Sequence, residues 1–152
     1  MTNPAKINWR RVLAGGLLAG LIIDVLEAGV NHFVVGPRFA QEMQALGKVM
    51  EPTPGNAVFF LSLGFMLGLV SIWLYAAIRP RFGPGPRTAI YAALAVWFLY
   101  GLLPHLLLGF LGIFSMRLEL ELSFLLLIWH IIATLAGAWL YKEDAATAVV
   151  SA

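Results

Sequence analysis

The chain has 152 residues, of which 61% are hydrophobic and 12% charged, with a formal net charge of +2; its mean hydropathy is +0.85. An ordinary soluble domain is about 45–50% apolar and about 25% charged, and one this small has too little interior to hide such a surplus. A soluble globular domain is therefore excluded, and the absence of cysteine also excludes disulfides, thiolate metal sites, iron–sulfur clusters and cysteine nucleophiles.

A helix needs about 20 mainly apolar residues to cross about 30 Å of hydrocarbon. Four segments meet that length. The alternation expected of barrel strands is absent, so the fold class read from the pattern is an all-α, membrane-spanning four-helix bundle forming one domain, 1–152. The first span runs from about 12 to 35, after Lys6, Arg10 and Arg11. Its apolar stretch is long and no small-residue cleavage site follows, so it reads as a retained span rather than a signal peptide. Gly36-Pro37 reads as its stop.

The next segment places Phe39, Met43, Leu46 and Met50 at helical spacing, with Gln41, Glu42, Gln44 and Lys48 between them. That pattern predicts a short amphipathic helix on the outer interface between the first two spans. It reads as a membrane-hugging connector, with a lid over the bundle as the functional alternative.

Glu51-Pro52-Thr53-Pro54-Gly55-Asn56 precedes the second span, 57–78. The Pro- and Gly-rich run Arg79 to Arg87 reads as the turn into the third span, 88–111, and the fourth follows over 118–141.

Arginine and lysine set the orientation. Lys6, Arg10, Arg11, Arg79, Arg81, Arg87 and Lys142 make seven on one side, against Arg38, Lys48 and Arg117 on the other. Both termini are therefore expected in the cytoplasm, and the protein in the plasma membrane. Trp9, Trp73, Tyr75, Tyr91, Trp139 and Tyr141 fall near the cytoplasmic side, as an interfacial belt does. The basic pI near 9.2 follows from this placement and does not point to nucleic acid.

Membrane helices pack through small residues. Such pairs occur at Gly16 and Gly20, Gly64 and Gly68, Ala89 and Ala93, and Ala133 and Gly137. Polar residues continue these stripes. Gly16, Gly20, Asp24, Glu27 and Asn31 keep helical steps, as do Gly64, Gly68, Ser71 and Tyr75. The fourth span carries Glu119, Ser123, His130, Thr134, Gly137 and Tyr141, and the third adds Gly101 and His105 beside Pro104. The packing faces are thus also the polar faces, which predicts a polar interior in the outer half.

At about 1.5 Å per residue, Asp24 lies about 16 Å and Glu27 about 12 Å below the outer boundary. His130 lies about 18 Å deep, so Asp24 and His130 are expected to meet near the midplane. His105, roughly 8 to 9 Å deep, matches Glu27. Carboxylates at such depth are costly unless protonated, paired or wetted. Asp24, Glu27, Asn31, His105, Glu119 and His130 therefore form the candidate polar or ligand site. The alternative is an interhelical network that fixes the bundle. His32 reads as interfacial, and Arg117 and Glu121 as an i,i+4 surface pair.

Asp24, Glu27, His105 and His130 are donors suited to a transition metal, and the two histidines to haem. However, no Glu-x-x-His pair or His-Glu-x-x-His motif occurs, and the depths of the two histidines differ by nearly 10 Å. No phosphate loop, nucleophile elbow, dinucleotide fingerprint or selectivity filter is present, which leans away from an enzyme.

The run from Trp73 to Ala89, WLYAAIRPRFGPGPRTA, and that from Leu135 to Glu143, LAGAWLYKE, resemble a group of uncharacterised bacterial membrane proteins of similar size. The resemblance spans most of the chain. It implies a four-helix fold in a bacterial cell membrane, and no activity. The expected function is a structural or accessory membrane subunit, a homo-oligomer or part of a larger complex within the lipid bilayer. The alternative is a ligand-, metal- or haem-binding protein linked to redox chemistry or transport.

Overall fold

The computed structural model describes residues 7–49, 51 and 53–142. Lys6 of the charge count, Met50 of the amphipathic stripe and Glu143 of the second resembling run lie outside them. Every regular element among the described residues is a helix, with no strand.

Helix α1 spans Trp9–Val30, opened by Asn8, whose side chain accepts from the Arg11 amide. It does not stop at Gly36-Pro37, as the sequence predicted. A π-helical turn over Asn31–Val35 carries it into α2, Gly36–Ala45. The i→i+5 spacing presses the Asn31 carbonyl against the Cα of Gly36, where a Cβ would not fit. Pro37 then enters at the start of α2, where its missing N–H and bulky ring are tolerated.

Thr53 caps α3, Pro54–Phe82, by accepting from the Asn56 amide at 3.2 Å. The sequence placed a turn from Arg79. Instead α3 continues through Pro80 to Phe82, losing one ladder bond, and the turn shrinks to Gly83-Pro84-Gly85. Gly83 and Gly85 have φ of 83° and 122°, a region only glycine enters freely.

The third long helix is built as α4, Pro86–Trp97, a second π turn, Phe98–Leu102, and α5, Leu103–Phe110. The Leu103 amide bonds the Phe98 carbonyl, five residues back. Here too a proline, Pro104, follows the turn by two residues. Ladders loosened in this way accommodate a proline ring that would otherwise clash. Ser115 caps α6, Met116–Leu140, through the Leu118 amide.

Helix α1 packs on α3 and α6, α4 packs on the same two helices, and α5 rests on α6. Small residues make the approach close. A Cβ on Gly68 would strike the backbones of Gly16 and Gly20, and one on Gly137 would strike Gly15. Ala19, Ala76, Ala89, Ala92 and Ala133 complete the core with Ile23 and Ile72. The outward faces are apolar: Leu13, Leu17, Leu21 and Val25 make an exposed stripe on α1, as do Phe124, Ile128 and Ile132 on α6. Among the described residues four helices, with α1–α2 and α4–α5 each counted as one, are long and apolar enough to cross a membrane.

Candidate functional site

The buried face of α6 is a polar seam. Glu119, Ser123, His130, Thr134 and Tyr141 are all enclosed, and Gly137 lies on the same line. The spacing of four, seven, four, three and four keeps them on one side of the helix. The matching face of α3 buries Gly64, Gly68, Ser71 and Tyr75.

Two side-chain pairs lock the seam to its neighbours. His105 of α5 meets Glu119 of α6 through Nδ1 and Oε2. Glu119 is 1% exposed, so this contact supplies the partner a buried carboxyl requires. About three helical turns further along the seam, His130 Nε2 lies 2.9 Å from the Ser71 hydroxyl. Between them, the Trp97 indole donates to the Ser123 carbonyl at 2.8 Å. Gly101, one turn after Trp97, leaves the space the indole ring fills.

Asp24 is 8% exposed and does not join His130. Its carboxyl group lies on Gly64, where any Cβ would overlap it, and its Oδ2 is enclosed without a hydrogen-bond partner. The Asp24 carboxyl faces α3 at Gly64, while His130 meets α3 at Ser71, seven residues further along that helix. Glu27, half-buried one turn further on, lies within electrostatic range of both Asp24 and Tyr100. Asn31 leaves the inward face and is exposed. It opens the π turn, where the α-helical spacing that carried the stripe ends. The predicted set therefore divides into an Asp24–Glu27 group on α1 and two separate histidine pairs.

That division bears on metal and haem. Among the described residues, no three histidine or carboxylate side chains come together as a group able to hold a metal ion. His105 and His130 each have a different partner on a different helix. The donor set does not fit a four-ligand metal centre or a bis-histidine haem.

At the end of the bundle away from Asn8 and Tyr141, side chains of α2 reach the α5–α6 turn. Glu42 accepts from both the amide (2.7 Å) and the hydroxyl of Ser115. Phe39 stacks on Phe114 at 5.3 Å. Arg38 and Arg117 both pair with Glu121, the latter at 3.1 Å. Of these, the sequence reading foresaw Arg117–Glu121. Exposed His32 stands edge-on to Phe33.

At the opposite end, Tyr75 and Tyr141 pack edge to face at 5.8 Å, and Arg79 lies over the Tyr141 ring. The Asn8 amide donates to the Tyr141 hydroxyl and the Gly85 amide to that of Tyr75. These contacts bind the start of α1, the α3–α4 turn and the end of α6 to one another.

No family model, curated protein or solved structure matches the chain. The functional reading therefore stands on the polar seam itself. Sequence reasoning passed over Trp97, Tyr100 and Ser115, and read Glu42 only as a polar position of the amphipathic segment. The Trp-x-x-x-Gly spacing of Trp97 and Gly101 was a usable signal for one of them. Glu42–Ser115 joins residues 73 positions apart, and no local pattern announces it.

Proposed function

We propose that the protein is a multi-pass plasma-membrane protein serving as a structural or accessory subunit. In this reading α1, α3, α4–α5 and α6 cross the bilayer, both termini are cytoplasmic, and α2 lies at the outer surface. The apolar exposed faces and the basic residues at one end support the placement. One observation carries the functional reading: the buried histidines are used in pairs between helices, His105 with Glu119 and His130 with Ser71. Groups so engaged hold helices in register. The chain then acts by assembly, as a homo-oligomer or beside another membrane subunit.

A second reading rests on Asp24. A buried carboxyl oxygen without a partner, beside Glu27 and Tyr100, supports a site for a proton or a small polar ligand.

Native mass spectrometry of protein extracted gently from its own membrane separates the two. The structural reading expects a chain carrying lipid and a second protein subunit, with assembly weakened in Asp24→Asn and Glu27→Gln. A stoichiometric non-lipid ligand that is lost in Asp24→Asn would replace it with the second reading.

A further inference from the structure

The α3–α4 hairpin carries an open cleft of about 600 Å³ lined by Ile78, Arg81, Phe82, Arg87 and Tyr91. Its five residues come from one face of the last turns of α3 and one face of the first turns of α4. The Arg87 Nε donates to the Tyr91 hydroxyl at 2.7 Å, and its guanidinium lies 5.7 Å from the Tyr91 ring centre. Phe82 meets the same ring edge to face at 5.7 Å. Tyr91 is thus fixed between the two helices and holds Arg87 at the cleft. Arg81 is exposed beside it. Among the described residues, neither guanidinium meets a carboxylate.

Further along the helices the cleft continues into apolar surface. The helical spacing that aligns Arg87 with Tyr91 continues to Leu94 and Phe98, and that of Ile78 and Arg81 reaches back to Val70. Leu94, Phe98 and Val70 are all exposed. The groove is therefore cationic at the end of the hairpin and greasy along its length. A soluble phosphate needs only the first feature. A phospholipid, with an anionic head and long tails, uses both.

We propose that this groove binds one anionic glycerophospholipid, its phosphodiester held between Arg81 and Arg87 and its acyl chains laid along α3 and α4. Guanidinium groups suit this role because their forked donors match phosphate oxygens. The inference rests on the membrane-spanning reading above. The bound lipid also gives the α3–α4 turn a defined depth at the membrane surface.

The test is native mass spectrometry of the full chain, offered phosphatidylglycerol and phosphatidylcholine together in detergent. The wild type is expected to retain one phosphatidylglycerol in preference. Arg81→Gln is expected to weaken that retention about fivefold, and the R81Q/R87Q pair about thirtyfold. The R38Q/R117Q pair, at the other end, removes the same charge and is expected to retain the lipid fully. Should R81Q/R87Q fail to fold, Arg81→Gln alone remains decisive, since that exposed side chain holds no other described side chain by a hydrogen bond or ion pair. Equal retention by wild type and the R81Q variants overturns the proposal, as does an equal loss in R38Q/R117Q. Displacement of the lipid by millimolar glycerol phosphate would make the ligand a soluble phosphate and overturn it equally. Carbonate washing distinguishes the deeper failure. Release of the chain from membranes sinks the spanning reading itself, whereas a membrane-retained chain with no lipid preference sinks this inference alone.

Discussion

His130 Nε2 and the Ser71 hydroxyl lie 2.9 Å apart and join the middles of α6 and α3, two helices that otherwise touch less than α1 and α3 do. Hydrogen bonds inside membrane proteins contribute about 0.6 kcal/mol on average and up to about 1.7 kcal/mol. Ser71→Ala is expected to lower stability within that range. His130→Ala is expected to cost more, because it also leaves a cavity. Unfolding of both variants in one detergent checks this, and an unchanged midpoint for Ser71→Ala would remove the bond from the account.

The His105–Glu119 pair calls for a double-mutant cycle. Removing His105 leaves a carboxyl group that is 1% exposed without its partner. His105→Ala is expected to cost about 3 kcal/mol, and adding Glu119→Gln to recover part of that loss. Strictly additive single and double variants would show that the two side chains do not stabilise each other.

Glycine positions divide sharply. A Cβ at Gly68 has no room between the backbones of Gly16 and Gly20, whereas one at Gly29 meets nothing within 4 Å. Gly68→Ala is expected to push α1 from α3 and abolish a monodisperse species on size exclusion. Gly29→Ala is expected to stabilise by about 0.5–1 kcal/mol, since alanine costs less backbone entropy in a helix. A folded, unshifted Gly68→Ala would overturn this account of the close helix approach.

Helix α2 is held by Glu42 at Ser115 and by Arg38 at Glu121. Glu42→Ala is expected to raise amide exchange over 38–45 by roughly fivefold, from the loss of charge-assisted hydrogen bonds. Arg38→Gln is expected to do much less, and its effect to vanish at high salt, because both partners are substantially exposed. Exchange unchanged in Glu42→Ala would mean that the Phe39–Phe114 stack alone seats the helix.

The chain has no cysteine, so single cysteines can report its orientation. A cysteine replacing exposed Lys48 is expected to react with an impermeant maleimide added outside intact cells. One replacing exposed Pro84 is expected to react only after lysis. The reverse pattern would invert the proposed topology.

Much of the interior was legible because helical spacing leaves a mark in sequence. Gly64, Gly68, Ser71 and Tyr75 were read as one face of the second span, and Glu119, Ser123, His130 and Thr134 as one face of the fourth. The structure buries both sets. What spacing does not encode is adjacency. Depth arithmetic joined Asp24 to His130, while the packing gave His130 to Ser71 and left Asp24 on Gly64. The small-residue stripe of α1 was read through Gly16 and Gly20, without Gly15. In the structure α1 has two contact faces, Gly16 and Gly20 toward α3 and Gly15 toward Gly137 of α6. Prolines misled in the other direction. Pro37 and Pro80 were read as ends, yet a wide turn absorbs one and a helix end tolerates the other.

The π turn over Asn31–Val35 holds one more residue than an α-helical path of the same height. Each residue of an α-helix turns the chain by about 100°. The bearing of α2 toward Ser115 is thus a matter of counting as much as of chemistry. Deleting a single residue from Asn31–Val35 would leave every side chain of α2 intact and swing Glu42 about a quarter-turn from its partner. A one-residue length difference, invisible to any comparison of composition, decides whether that end of the bundle is capped or left open.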